Sequence, residues 1–168
     1  LLFIDKMRQL SSLEDRKAEY EEVNTAELVT QLKVAADILA EPKNIAIEIR
    51  NEPGAPLSFQ ADRGIIHEVY ENLLSNAVRY AAKKIVISIK FINSMLQIKV
   101  WDDGTGFHTN DNDLITNAYY HDNPADDLNH FGLGLYISKL LCEKHGGKVC
   151  IENDINFGAS VKAEFFIH

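Results

Sequence analysis

The 168-residue chain is 46% hydrophobic with a formal net charge of −8, enough apolar content for one sizeable core and no overall attraction to polyanions. Binding along nucleic acid or an anionic membrane surface is disfavoured, so any phosphate ligand has to be held locally. Cys142 and Cys150 form neither a CxxC motif nor a disulfide framework, no apolar run approaches the roughly 18 residues of a membrane span, and no signal peptide is visible.

The opening LLFIDKMRQLSSLEDRK places Leu1, Leu2, Ile4, Met7, Leu10 and Leu13 along one helical side. It reads as the end of an amphipathic helix whose partner is missing, and a start at leucine in mid-pattern suggests a piece of something longer. YEEVN, residues 20–24, predicts a short strand. Asn24, with Glu27 three residues on, predicts a capped helix to about Ala40, closed by Pro42. NIAIEIRN alternates Ile45, Ile47 and Ile49 with polar neighbours, the period of a half-buried strand; EPGAP is a turn and LSFQAD a second short strand. Asp62 is placed to cap a long helix to about Ala81, with Ile65, Ile66, Val69, Leu73, Leu74 and Ala77 on its buried side. KIVISIKF and MLQIKVWD predict a hairpin joined through INS. Residues 107–131 lose all periodicity and are long for a loop, the signature of a lid or a disordered segment. A helix from about Gly132 to His145 and the strands KVCIEND and ASVKAEFFI complete the chain. The predicted fold is α+β, a two-layer sandwich with the sheet on one side and helices on the other.

Three stretches carry chemistry. In EVYENLLSNAVRYA, Asn72 and Asn76 stand four apart and share a helical face, where amide oxygens suit Mg²⁺ and amide NH₂ groups suit phosphate or ribose. Arg79 and Tyr80 follow one turn later. In WDDGTGF, Gly104 and Gly106 allow close backbone approach to a flat ligand, and the preceding aspartate can accept from an exocyclic amine. In HFGLGLYISKLLCEKHGG, Gly132 and Gly134 sit at a helix start, where backbone N–H groups face an incoming anion. Gly146 and Gly147 are placed to end that helix with a left-handed cap. Singly, each motif has an ordinary alternative: exposed asparagines, a tight turn, a capping glycine. His121, Asp122, Asp126 and His130 lack a metal-ligand spacing and read as a solvated loop.

Taken in this order, the three stretches resemble the N, G1 and G2 boxes of the ATP-binding catalytic domain of sensor histidine kinases, whose fold is shared with gyrase, Hsp90 and MutL. GAS at 158–160 resembles the glycine turn before the last strand, and the likeness covers about residues 18–168. The resemblance implies a Bergerat-type ATP-binding fold over 18–168 with a mobile lid at about 107–131, preceded over 1–17 by the end of the dimerisation and phosphoacceptor hairpin. It makes Asn76, with Asn72 beside it, the catalytic pair holding Mg²⁺, and Asp102 the acceptor of the adenine amine. It lines the nucleotide with Arg79, Tyr80, Lys83, Gly104, Gly106, Phe107, Phe131, Gly132, Leu133, Gly134 and Leu135. The reaction implied is γ-phosphoryl transfer from Mg-ATP to a histidine on the absent hairpin, then to the receiver domain of a response regulator. The full-length protein would dimerise through that hairpin and be anchored in a bacterial plasma membrane, this part being a cytoplasmic domain, monomeric by itself. The alternative is a catalytically inactive nucleotide-binding scaffold of the same fold.

Two departures from the family pattern stand out. His130 and Phe131 replace small residues before the first glycine, and Phe107 through Ser138 hold five aspartates and no lysine or arginine. Modest, strongly Mg²⁺-dependent ATP affinity is expected from such a lid. A hydrolase of this fold needs a glutamate one turn before the Mg²⁺ asparagine; here that position is Asn72, and Glu71 points elsewhere around the helix.

Overall fold

The computed structural model describes residues 2–107, 109, 111–117, 133–154 and 158–168. Its elements are α1 (Leu2–Leu13), β1 (Glu21–Asn24), α2 (Thr25–Ala40), a 3-10 turn (Glu41–Lys43), β2 (Ala46–Asn51), β3 (Ser58–Ala61), α3 (Arg63–Tyr80), β4 (Lys84–Ile92) and β5 (Met95–Asp102), followed by α4 (Asn112–Ile115), α5 (Gly134–Lys144), β6 (Val149–Asp154) and β7 (Gly158–Phe166).

Five strands form one mixed sheet in the order β2-β4-β5-β7-β6. Only β2 and β4 run parallel, which requires a crossover, and α3 supplies it. The β4–β5 hairpin turns through Asn93 and Ser94, both at positive φ (50° and 58°), the mirror-image turn that suits the strand twist. Ile85, Ile87 and Ile89 of β4, Leu96, Ile98 and Val100 of β5, and Val161, Ala163 and Phe165 of β7 are buried on one face. That face meets the helices, with α3 lying between α2 and α5. The opposite face carries charges in cross-strand or same-strand pairs, such as Lys99–Glu152 at 2.5 Å and Lys162–Glu164 at 3.2 Å.

Both predicted helix caps are present. Asn24 Oδ1 accepts from Glu27 N at 3.0 Å and Asp62 Oδ1 from Ile65 N at 2.9 Å, each a contact of the kind that stabilises a helix by about 1 kcal/mol. At the end of α5, Gly146 adopts φ 75°, its N–H reaches Glu143 O, and Gly147 N reaches Cys142 O at 2.8 Å, a Schellman closure.

Three features differ from the sequence reading. β1 and β3 leave the main sheet and pair with each other, with the buried Val23 and Phe59 in register. This small sheet is tied to the large one by Phe59 against Phe91 and by backbone bonds between Gln60 and His168. Within the stretch expected to be aperiodic, Asn112–Ile115 form a helical turn capped by Asp111, because Ile115 and Thr116 are buried and hold it down. Along α1, Leu13 is buried and Leu10 half-buried, whereas Ile4 and Met7 are exposed, so the apolar side is only partly covered. No described helix is long and apolar enough to cross a membrane.

Candidate functional site

The site grows from α3. Its core-facing residues, from Ile65 to Val78, fix the rotation of the helix, and Asn72 and Asn76 consequently share a side that is neither core nor fully exposed. Asn72 Nδ2 is buried with no hydrogen-bond partner among the described residues. An orphaned donor of this kind costs about 1–3 kcal/mol, a cost that an acceptor on a bound ligand would relieve. Glu68 lies one turn before Asn72, but both of its oxygens are engaged: Arg16 Nη1 donates to Oε2 at 2.8 Å and Gln9 Nε2 to Oε1. The carboxylate nearest the asparagine face therefore serves the contact with α1 and its following loop. Glu71 is exposed, as its place on the helix requires.

The start of α3 is held by a network that the sequence does not reveal. Asp62 caps α3 with one oxygen and accepts Glu19 N with the other at 2.9 Å, while its own N–H donates to His145 Nε2 at 2.8 Å. His145 is fully buried, and burial lowers its pKa. With Nε2 accepting, the neutral ring carries its proton on Nδ1, which has no partner among the described residues.

Alternation along β5 brings Leu96, Ile98, Val100 and then Asp102 to the buried face, so the strand's last inward residue is a carboxylate under the end of α3. Burial pushes Asp102 up to about 6, against the opposing effect of Gly104 N–H, which donates to Oδ1 at 2.9 Å. A Cβ on Gly104 would stand 2.3 Å from Tyr80 O. The need for glycine there comes from the protein's own chain as well as from any ligand. Gly106 takes φ 79°, and a Cβ would lie 2.4 Å from Asn153 Oδ1.

At the far end of α3, the Arg79 guanidinium lies 5.8 Å from the centroid of the Tyr80 ring. Lys83 is exposed just beyond. Two residues not anticipated from the sequence hold this end. Lys43 Nζ donates to Val78 O at 3.2 Å and Arg79 O at 3.4 Å, a cation on terminal helix carbonyls. Asp103 Oδ1 accepts from Ala82 N at 2.9 Å and Lys83 N at 3.0 Å. An aspartate directly after Asp102 was the available sequence signal, but its partners lie about twenty residues away in the chain.

Phe107 packs against the core and is clamped by Asn153, which accepts its N–H at 3.0 Å and donates to its carbonyl at 2.7 Å. Leu133 is buried at the start of α5, Leu135 is half-buried, and a Cβ on Gly134 would meet nothing within 4 Å. Phe131 and Gly132, together with His108, His121, Asp122, Asp126 and His130, lie outside the described residues. Among the described residues there is no cluster of His, Cys, Asp and Glu able to hold a metal. The donor set that remains is the pair of amides on α3. Such neutral oxygen ligands fit a hard cation whose other ligands come from phosphate and water.

Residues 61–167 match the family described as histidine kinase-, DNA gyrase B-, and HSP90-like ATPase. Sensor protein FixL of Bradyrhizobium diazoefficiens is 30% identical over 128 residues, covering 73% of this chain and 24% of the relative. Sensor protein RprX of Bacteroides fragilis is 28% identical over 163 residues, covering 92% of this chain and 31% of the relative. In fold, the chain is similar to full-length ShkA in complex with AMPPNP, with TM-score 0.83 and 22% identity over 98% of this chain and 35% of that one. The nucleotide-free catalytic domain of histidine kinase ThkA gives TM-score 0.73 at 25% identity over 88% of this chain and 95% of that one. The chain spans about a quarter to a third of the length of these curated relatives.

Proposed function

The chain belongs to the histidine kinase-, DNA gyrase B- and HSP90-like ATPase family, and from that premise we propose that it is the ATP-binding catalytic domain of a sensor histidine kinase. The observation that carries the reading is the orphaned amide of Asn72 on α3 together with the buried Asp102, which lies beside the end of that helix through Gly104; the glycine-bearing start of α5 supports it, α5 being packed on α3. Asp102 accepts the adenine amine, which guanine's carbonyl at the same ring position would not satisfy. Arg79 and Tyr80, with Lys83, line the phosphate side, and the backbone of residues 132–135 offers amides to the phosphates. In this reading a lid would run from about 107 to 131, and Phe107 and Phe131 would line the nucleotide. Asn76, assisted by Asn72, would hold Mg²⁺, whose contribution when bound is to neutralise charge on the transferred phosphoryl group.

Among the described residues no carboxylate on the asparagine face is free to activate water, since Glu68 is committed to Gln9 and Arg16. This favours transfer to a protein histidine over hydrolysis. Three of the six histidines have structural partners: His67 Nε2 pairs with Gln31 Oε1 at 3.0 Å, His145 is buried on Asp62, and the His168 ring packs on Tyr20 and Phe166. We place the acceptor on the hairpin to which residues 1–17 would belong; the exposed Ile4 and Met7 support an unpartnered apolar side on α1, whose Leu13 packs into the core of this domain. The receiver domain of a response regulator would take the phosphoryl group next, in a dimeric protein anchored at the membrane.

Calorimetric titration tests the reading directly. ATP should bind with Mg²⁺ and several-fold more weakly without it, GTP should not compete, and incubation with γ-labelled ATP should leave no stable phosphohistidine on this chain. Absence of ATP binding in Mg²⁺ would overturn the assignment, and self-labelling would overturn the placement of the acceptor.

Titration of Asp102 adds a second expectation. The adenine amine donates to the ionised carboxylate, so binding favours proton loss from a group whose value is about 6. ATP affinity should fall as pH drops from about 7.5 to about 5.5, with proton release detectable near pH 6 by titration in two buffers of different ionisation enthalpy. Unliganded stability runs the other way. The folded value lies above the ordinary 3.8, so the contribution of this group is fully present below about 3.8 and is lost as pH rises through about 6. An affinity flat across that window would remove Asp102 from the adenine contact.

A further inference from the structure

The end of α3 is where the phosphate-side residues sit, and helix ends fray unless their last carbonyls and the following amides find partners. Here the end is held from two sides. Ala77 O accepts from Ala81 N at 2.8 Å, Val78 O and Arg79 O accept from Lys43 Nζ, and Tyr80 O packs closely against Gly104. The next two amides, of Ala82 and Lys83, converge on Asp103 Oδ1, and Asp103 N donates back to Lys84 O at 3.2 Å. Successive N–H groups arranged in this way make an anion-binding concavity, and a side-chain carboxylate fills it. Burial works against ionisation of Asp103, but the amides of Lys83, Lys84 and Ala82 outweigh it and hold the carboxyl below its usual range.

Asp102 and Asp103 are adjacent at the end of β5, and strand alternation sends them to opposite sides. One turns inward to the adenine position and the other outward to the α3–β4 turn. We propose that Asp103 and Lys43 are positioning residues for nucleotide binding: together they clamp the end of α3 so that Arg79 and Tyr80 stand at a fixed offset from Asp102. The proposal rests on the assignment of Arg79 and Tyr80 to the phosphate side of an ATP site. Neither Asp103 nor Lys43 touches the nucleotide, and both act through the α3 backbone.

The experiment uses the 168-residue chain and compares ATP with adenosine, which lacks the phosphates, as binding probes. Asp103→Ala should weaken ATP about tenfold and leave adenosine within about twofold, because the adenine contact at Asp102 is retained. Asp103→Asn keeps an acceptor oxygen for the two amides and should restore most of the ATP affinity. Lys43→Ala strips the clamp from the opposite side, away from the Asp102 loop, and should reproduce the phosphate-selective loss even where Asp103→Ala folds poorly. In an Arg79→Ala background, either clamp substitution should add little. Equal losses of ATP and adenosine, failure of Asn to rescue, or losses additive with Arg79→Ala would each overturn the clamp. Wild-type chain that binds no ATP at all would instead strike the underlying assignment, and the clamp with it.

Discussion

Asp102→Asn should cut ATP affinity by about two orders of magnitude while leaving the unliganded domain at pH 7 as stable as the parent, or more so. Gly104 N–H already occupies Oδ1, so the substituted amide keeps its oxygen on that bond and turns its NH₂ toward the adenine amine, donor against donor. The loss is therefore larger than that of one hydrogen bond. Stability moves in the other direction because Asp102 is a buried carboxylate displaced from 3.8 to about 6, a penalty on the order of 3 kcal/mol for the ionised folded state at neutral pH. A neutral amide of the same shape removes it. Paired calorimetric titration and thermal denaturation decide the matter: joint loss of binding and stability would mean that Asp102 is a structural group.

The glycines divide by what surrounds them, and the second large effect follows from that. Gly158 adopts φ 99°, and a Cβ there would stand 2.0 Å from Asp102 O and 3.1 Å from Gly104 N, both backbone atoms that cannot rotate away. Gly158→Ala should destabilise the domain by roughly 4 kcal/mol or more, enough to unfold a domain of ordinary stability, and should displace the Asp102 loop in whatever remains folded. Gly134 is the contrast. Its φ lies outside the left-handed region, a Cβ would meet nothing within 4 Å, and it opens a helix in which alanine is favoured by up to about 1 kcal/mol. Gly134→Ala should keep or raise the melting temperature and, if the proposed phosphate contact is right, weaken ATP, since no neighbour within the chain requires glycine there. A melting temperature that falls as far for Gly134→Ala as for Gly158→Ala would refute the division.

Local signals were readable from the chain. The alternation in KIVISIKF and MLQIKVWD, the caps Asn24 and Asp62, and the Gly146–Gly147 helix end all depend on neighbours within a few residues, and all have the expected geometry. The placement of the candidate residues was readable too, because the asparagine pair obeys helical spacing and Asp102 obeys strand alternation. Illegible were the contacts that join distant segments through a single polar group. Lys43 reaches α3 across 35 residues, Asn153 reaches Phe107 across 46, and His145 reaches Asp62 across 83. Nothing local distinguishes these side chains from solvated ones. The pairing of β1 with β3 eluded the sequence reading for a related reason: two four-residue strands carry too short a period to name their partner.

The anchoring of the segment after β5 bears on how the protein behaves in a crowd. β6 ends the order of the main sheet, and its outward backbone groups form an open row onto which a strand of another molecule could add. Asn112 occupies that row as a counterfeit strand, with Oδ1 accepting from Ile151 N at 2.9 Å and Nδ2 donating to Val149 O at 3.5 Å. Asn153, farther along β6, fastens Phe107 beside it. The other outer strand, β2, is defended by charge instead, with Glu48 held between Arg50 and Lys84. One side chain, Asn112, thus covers part of the β6 edge that would otherwise be open to another strand, so Asn112→Ala should raise self-association at high concentration, measurable by light scattering.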